Sequence, residues 1–273
     1  LIILIVIFLI FIFLTTRKYQ NENLSNNVYS AEYYRGLNYL LNDENEKALK
    51  IFTDLIDVDS STIETHLALG GVYRRRGEFD KAILIHQNLL SRPKLDRGIK
   101  NQTLYELGKD FFSAGLYDKS EKILLNLQNN KSYEESCSEY LLLIYELSKD
   151  WDSAIKLTKN INKDKIRNLS INHLISQYYC EKAHEYQKDN QLNKAITVLR
   201  KAINIYDSSR RPFSMLFKLN IQSNPNAALD NLHNLARIDP SFIVILSNEI
   251  IELSTIHQDE DIDIRISNII LEF

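Results

Sequence analysis

Hydrophobic and polar residues follow one short helical pattern that recurs along the chain at a spacing of about 34 residues. The clearest copies are YRGLNYLLNDENEKALKIF from Tyr34, THLALGGVYRRRGEFDKAIL from Thr65 and ELGKDFFSAGLYDKSEKIL from Glu106. In each copy the apolar residues form two stripes of helical period, separated by a short polar turn. The pattern therefore predicts a row of helix pairs.

Three columns define the repeat when the copies are superposed. A glycine in the first helix is followed by an aromatic residue after three positions and by a small residue after twelve. The columns contain Gly36, Gly70 and Gly108, then Tyr39, Tyr73 and Phe111, then Ala48, Ala82 and Ser120. A glycine inside a helix costs about 1 kcal/mol relative to alanine, so we expect each small residue to face its glycine across a close helix contact. This is the tetratricopeptide pattern.

Weaker copies continue the columns. They place Ala154, Ala195 and Ala228 in the small-residue column, Ala183 in the glycine column, and Tyr145 and Tyr186 in the aromatic column. Pro240 follows twelve residues after Ala228, where a proline would end the helix. Gly77 and Gly115 stand where the first helix of a pair must end, and we expect left-handed caps there.

The predicted fold class is all-α, a right-handed solenoid of tetratricopeptide repeats with an N-terminal transmembrane helix. The expected domains are an anchor over residues 1–16, a polar linker over 17–30, about six repeats over 31–240 and the start of a further repeat over 241–273. Low counts of glycine (7) and proline (4) agree with a helical chain and disfavour a β-sandwich.

Charge and motifs exclude several kinds of chemistry. The net charge of −3 disfavours a general nucleic-acid binder. The sequence lacks the serine-hydrolase elbow, the phosphate-binding loop and the HExxH zinc motif, so we expect no enzyme activity. Cys137 and Cys180 lie far apart without a CxxC pair, and we expect two buried thiols and no metal site in these residues.

Residues 1–14 form the uninterrupted apolar run LIILIVIFLIFIFL. At about 1.5 Å per residue the run is shorter than the hydrocarbon core of a bilayer, so we expect a transmembrane helix that begins upstream of Leu1. A signal peptide is the alternative, but no small-residue cleavage site follows the run. Arg17 and Lys18 after the run favour a cytoplasmic location for the repeats.

The stretch THLALGGVYRRRGEFDKAILIHQNLL from Thr65 is more distinctive than a general repeat. Together with the anchor, YRGLNYLL from Tyr34, ELGKDFFSAGLYDKSE from Glu106 and YYCEKAHEYQKDNQLNKAI from Tyr178, it resembles the lipopolysaccharide assembly protein B family. The resemblance extends over nearly the whole chain.

The resemblance implies a regulator of lipopolysaccharide synthesis at the inner membrane of Gram-negative bacteria. By this resemblance, members of the family are adaptors that help the membrane protease FtsH degrade the lipid A deacetylase LpxC. They also respond to an inner-membrane lipopolysaccharide sensor. The family also has a C-terminal rubredoxin-like domain with two cysteine pairs that binds iron or zinc. These 273 residues lack those pairs, so we expect the chain to be truncated at both ends and to hold no cofactor itself.

Two other functions stay open on the sequence alone. One is a general membrane-anchored repeat scaffold for another envelope assembly complex. The other is a repeat region joined to a catalytic domain outside these residues.

In this repeat class the first helix of each pair lines the groove that binds partners. Basic and aromatic residues at those positions predict a surface for an acidic or amphipathic segment: Arg74, Arg75, Tyr105, Lys109, Phe112, His184 and Lys188. The alternative is that Arg74, Arg75 and Arg76 form a solvated helix end. We interpret His66, His86 and Trp151 as structural residues, with Trp151 packed between repeats four and five.

Overall fold

A computed structural model describes residues 63–91, 95–161, 165–166 and 169–273, together with isolated positions between 31 and 51. The expected anchor at 1–16, the linker at 17–30 and Ala48 lie outside the described residues. The chain divides into two compact units, residues 1–140 and 141–273, and each is considered by itself.

In the first unit the amphipathic stripes form helices at the predicted places. These helices are α1 (Ile63–Arg75), α2 (Phe79–Leu90), α3 (Arg97–Ser113), α4 (Tyr117–Gln128) and the start of α5 (Glu134–Ser148). Helix α2 packs on both α1 and α3, α3 also packs on α1 and α4, and this is the contact order of stacked helix pairs. Leu69, Leu89, Leu107 and Leu124 are among the buried side chains of this unit.

The small-residue column is buried at each of its positions that the structure describes. Ala82 and Ser120 in the first unit are fully buried, as are Ala154, Ala195 and Ala228 in the second. The Ser120 hydroxyl donates a hydrogen bond of 2.8 Å to the carbonyl of Gly108, which confirms that the two columns meet.

The groups closest to the column glycines differ from the predicted ones. A Cβ added at Gly70 would overlap the ring of His86, and one added at Gly108 would lie 3.1 Å from Cδ2 of Leu124. His86 and Leu124 each lie one helical turn after Ala82 and Ser120. Their side chains reach the glycines because side chains of a helix lean back toward its N-terminus.

The second unit contains the remaining helices and one pair of short strands. Its helices are α6 (Trp151–Asn160), α7 (Ile171–Lys188), α8 (Leu192–Ile205), α9 (Arg210–Asn220), α10 (Pro225–Ile238), α11 (Ser241–Ile245), α12 (Ser247–His257) and α13 (Glu260–Glu272). The strands β1 (Lys165–Ile166) and β2 (Leu169–Ser170) pair antiparallel between α6 and α7. Helix α10 ends just before Pro240, as predicted.

Helices α7 and α8 form the best-defined pair of this unit. Ala183 and Ala195 are both fully buried between them, at the glycine and small-residue positions of the repeat. A second cluster of buried residues joins α9, α10, α12 and α13, with Phe217 and Leu232 fully buried. Trp151 stacks on Tyr178 of α7 with ring centroids 6.2 Å apart, so it packs between repeats four and five.

The predicted all-α tetratricopeptide fold is confirmed for the described residues, with the short strand pair as a local addition.

Candidate functional site

Helix α3 presents the first part of the site. Asp96 caps this helix by accepting a hydrogen bond of 2.7 Å from the backbone N–H of Gly98. Tyr105, Lys109 and Phe112 then follow at helical spacings of four and three residues, which place them on one face of α3. All three side chains are partly exposed.

Arg74 in the last turn of α1 reaches across to α3. One nitrogen of its guanidinium lies 2.6 Å from Glu106 Oε2, and the other lies 2.6 Å from Asp110 Oδ1. Only 13% of the Arg74 side chain is exposed. Arg74 is therefore part of an ion-pair network between repeats, so the solvated helix end does not describe this residue.

Asp110 and His86 extend this network into the interior. Both side chains are fully buried, and the Asp110 carboxylate accepts a hydrogen bond from Nδ1 of His86. His86 Nε2 has no hydrogen-bond partner among the described residues, and the ring packs against Gly70. His86 is thus a structural residue, as the sequence predicted.

Lys109 shares the same network from the exposed side. Its ammonium donates a hydrogen bond of 2.9 Å to Glu106 Oε1 and lies 5.2 Å from the ring centroid of Tyr105. Glu106 therefore accepts from two cations, Arg74 and Lys109.

The pKa shifts follow from this arrangement. Burial raises the pKa of the Glu106 carboxyl, but the hydrogen bond from Lys109 and the charge of Arg74 outweigh burial, and the pKa lies below its ordinary value. For Arg74, burial opposes the charged form, while Glu106 and Asp110 together raise the pKa of the guanidinium. Both groups are held in their charged forms at neutral pH.

Aromatic rings form the second part of the site. Five partly exposed rings from α3, α4, α5 and the turn before α5 lie in one continuous series, which we name the aromatic ladder: Tyr133, Tyr105, Tyr140, Phe112 and Tyr117. Successive ring centroids are 5.5, 6.2, 5.2 and 5.7 Å apart.

The structure connects four of the seven predicted residues. Arg74, Lys109, Tyr105 and Phe112 are linked through Glu106 and Tyr140. Arg75 is exposed at the end of α1, outside the contacts of that network.

His184 and Lys188 are exposed on α7 of the second unit. They project from the first helix of repeat five, as the sequence predicted. In this unit other first-helix positions form polar contacts between repeats: the Tyr178 hydroxyl lies 2.5 Å from Glu146 Oε1, and Arg211 lies 2.7 Å from Glu181 Oε1.

Sequence reasoning missed Glu106, Asp110, Tyr133 and Tyr140. The two carboxylates had a readable signal, because they follow Arg74 by 32 and 36 residues, close to one repeat. The two tyrosines lie at the start of repeat four, Tyr140 in α5 and Tyr133 just before it, and the glycine column of that repeat contains a leucine and was harder to align.

The described residues do not fit a metal centre. No group of three or more histidine, cysteine, aspartate or glutamate side chains in that part of the chain could hold an ion. Cys137 and Cys180 are free and buried, and burial raises the pKa of their thiols to about 11 and about 12.

The membrane anchor predicted from the sequence falls on residues that the structure does not describe. None of the helices in the described ranges combines the length and hydropathy needed to span a bilayer.

Several known proteins are similar to this chain. The family described as tetratricopeptide repeat matches residues 65–99, which include α1, α2 and the start of α3. Solved structures with related helical arrangements include MamA (TM-score 0.46, 17% identity, 66% of this chain and 92% of that chain). Another is the C-terminal part of a TPR repeat-containing protein from Cytophaga hutchinsonii (TM-score 0.47, 12% identity, 88% and 94%).

Two curated relatives carry the same name. Lipopolysaccharide assembly protein B from Escherichia coli strain K12 is 34% identical over 200 residues, which cover 72% of this chain and 50% of the relative. The protein of that name from Haemophilus influenzae is 28% identical over 234 residues, which cover 82% and 58%. The chain spans about half the length of the relatives it matches. The resemblance predicted from the sequence is thereby confirmed: this chain is a tetratricopeptide-repeat homologue of lipopolysaccharide assembly protein B.

Proposed function

We propose that this protein is a non-enzymatic adaptor in lipopolysaccharide assembly, anchored in the bacterial inner membrane with its repeats facing the cytoplasm. The observation that carries the proposal is the 34% identity over 200 residues to an Escherichia coli protein whose name refers to lipopolysaccharide assembly. The fold supports it, because stacked helix pairs provide extended surfaces for partners.

In this proposal the adaptor promotes degradation of the deacetylase LpxC by the membrane protease FtsH and responds to an inner-membrane lipopolysaccharide sensor. An adaptor accelerates such a step by raising the local concentration of the substrate near the protease. This role needs docking surfaces and no reacting groups, which agrees with a site made of ion pairs and aromatic rings.

The proposed docking residues divide by exposure. Tyr105, Lys109 and Phe112 in the first unit and His184 and Lys188 in the second are partly or fully exposed, so each can contact a partner. Arg75 is exposed too, but it lies outside the ion-pair network and the aromatic ladder, so we do not place it in the docking surface. Arg74 contributes by holding α1 against α3 through Glu106 and Asp110.

Depletion of the protein in its own cells tests the proposal. The half-life of the deacetylase should lengthen several-fold after depletion and return when the protein is supplied again. An unchanged half-life would refute the proteolytic role. If the envelope were then still defective, the general scaffold for another assembly complex would be the better description.

A variant that lacks residues 1–16 tests the anchor. Tethering raises effective concentration without adding a contact, so the untethered variant should restore the deacetylase half-life poorly, although its repeats fold. The control is the same variant fused to an unrelated transmembrane helix. Failure of this control would show that the native segment makes specific contacts.

A further inference from the structure

We infer that the aromatic ladder binds an uncharged, proline-containing extended segment of a partner, and not the acidic segment that the basic residues suggest. This inference rests on the proposed adaptor function and specifies the chemistry of its partner in the first unit. It depends on the charge balance around the ladder and on the groups that the ladder offers.

The charges beside the ladder cancel. The cations Arg74 and Lys109 are paired with the carboxylates of Glu106 and Asp110 at distances of 2.6 to 2.9 Å. An acidic segment would have to displace one of these carboxylates from its cation, and displacement from Arg74 would leave a buried charge unpaired. The paired network therefore offers an acidic segment no net attraction.

The side chains of the ladder carry no charge, and their ring faces are apolar. Burial raises the pKa values of the Tyr105, Tyr133 and Tyr140 phenols above their ordinary value, so these hydroxyls stay protonated at neutral pH. Partly exposed rings in a continuous series provide faces for apolar side chains, and aromatic-lined grooves are a recurring docking surface for proline-rich segments.

The tyrosine hydroxyls favour an extended segment over a helix. A polyproline II segment has no internal hydrogen bonds, so its backbone carbonyls are free to accept from hydroxyl groups along the groove. A helix satisfies its own backbone and offers only its side chains. Four of the five ladder rings carry a hydroxyl: Tyr105, Tyr117, Tyr133 and Tyr140. The Tyr105 hydroxyl already contacts Ser136, so those of the other three tyrosines are the main candidates for such hydrogen bonds.

Two substitutions distinguish binding through the aromatic ladder from binding through the exposed charge of Arg75. Phe112→Ala removes a central ring that contacts both Tyr140 and Tyr117. Arg75→Glu reverses an exposed charge outside the paired network, so the fold should tolerate it. An acidic partner would depend on Arg75, whereas an uncharged partner would depend on Phe112.

The experiment titrates the full-length protein, reconstituted in lipid nanodiscs, with three fluorescent peptides of about ten residues. One is proline-rich and uncharged, one is acidic and one is an apolar helix-former. The proline-rich peptide should bind most tightly, and raising the salt concentration about tenfold should change its Kd by less than about twofold. Phe112→Ala should weaken its binding about tenfold, as loss of a central aromatic contact does, while Arg75→Glu should leave it unchanged.

Tyr133→Ala provides a second variant if Phe112→Ala melts early, because Tyr133 is the end ring of the ladder. Preference for the acidic or the helical peptide, binding to none of the three, or loss of binding in Arg75→Glu alone would overturn the inference. The deacetylase half-life is measured separately in cells, so a failure of the adaptor role is distinguishable from a failure of the ladder.

Discussion

The Arg74 guanidinium lies between two carboxylates of the following repeat, Glu106 and Asp110. Asp110 is fully buried, and it also accepts from His86. Removing one member of a buried charge network leaves its partner unpaired, which costs about 3 to 5 kcal/mol. At the scale of residues, these groups therefore fix the register of α1 against α3, and charge reversal at Arg74 would test stability more than binding.

Substitution Glu106→Gln should reveal the contribution of this network through pH. Because the folded pKa of Glu106 lies below its ordinary value of 4.5, its stabilising effect is fully present above pH 4.5 and is lost as the pH falls through the folded pKa. At pH 7 the variant should lose about 1 to 2 kcal/mol of unfolding free energy. The difference from the parent protein should shrink below pH 4 in urea titrations, and a pH-independent difference would contradict the assigned ion pairs.

The two column glycines should respond differently to alanine. At Gly70 a Cβ would overlap the buried His86 ring, whereas at Gly108 it would meet Cδ2 of Leu124 at 3.1 Å, where a small shift of a leucine rotamer relieves it. We expect Gly70→Ala to destabilise the fold by about 1 to 3 kcal/mol and Gly108→Ala to remain within about 1 kcal/mol of the parent. Equal melting temperatures for the two variants would show that the His86 contact is not tight.

At the scale of elements, one helix ending recurs in five repeats. The carbonyl of the aromatic column accepts a backbone hydrogen bond from the N–H five residues later, at 2.8 or 2.9 Å. The pairs are Tyr39 and Glu44, Tyr73 and Glu78, Phe111 and Leu116, Tyr145 and Asp150, and Tyr186 and Gln191. This is the hydrogen bond of the Schellman ending, and in the four pairs from Tyr73 onward the fourth residue after the carbonyl adopts a left-handed conformation.

The residue in that left-handed position changes along the chain. It is Gly77 (φ +78°) and Gly115 (φ +74°) in the early repeats, and Lys149 (φ +57°) and Asn190 (φ +56°) in the later ones. Left-handed backbone strains a residue that has a Cβ, and asparagine tolerates it better than lysine.

Substitutions at these caps should therefore have opposite signs. Gly77→Ala should destabilise the protein by about 1 kcal/mol through backbone strain alone, since no atom lies within 4 Å of the added Cβ. Lys149→Gly should stabilise it by up to about 1 kcal/mol. Chemical denaturation of both variants tests the pair, and a loss of stability in Lys149→Gly would mean that the lysine side chain contributes more than the strain costs.

These elements explain why part of the structure was predictable. Ala82, Ser120 and the Gly77 cap follow from local sequence and period, which are clear in the early copies of the repeat. The caps at Lys149 and Asn190 carry no glycine, so their conformation shows only once tertiary packing fixes the helix ends.

The candidate site was less predictable for a physical reason. Residue types at groove positions indicate Lys109 and Phe112 as candidate docking residues. They do not indicate whether a lysine or arginine already forms an ion pair within the protein. The pairing of Lys109 and Arg74 depends on Glu106, and the ladder depends on rings that helix packing brings together. The positive charges of Arg74 and Lys109 are thus neutralised by ion pairs in the folded protein.

Three properties describe the whole molecule: its net charge, its fold and its homology. The chain has a net charge of −3, so long-range attraction to anionic partners is weak. Its fold is a tetratricopeptide repeat, and its sequence is homologous to lipopolysaccharide assembly protein B over 72% of its length. These observations agree with the proposed adaptor role, in which the protein would select its partners by short-range contacts.

Reconstituted proteolysis tests this central claim most directly. The protease FtsH and the deacetylase LpxC would be combined in lipid nanodiscs with and without the full-length protein, and the loss of intact deacetylase followed in time. We expect the protein to accelerate degradation several-fold at substoichiometric amounts. We also expect Phe112→Ala to reduce this acceleration and Arg75→Glu to leave it unchanged. Degradation at the same rate with and without the protein would contradict the account.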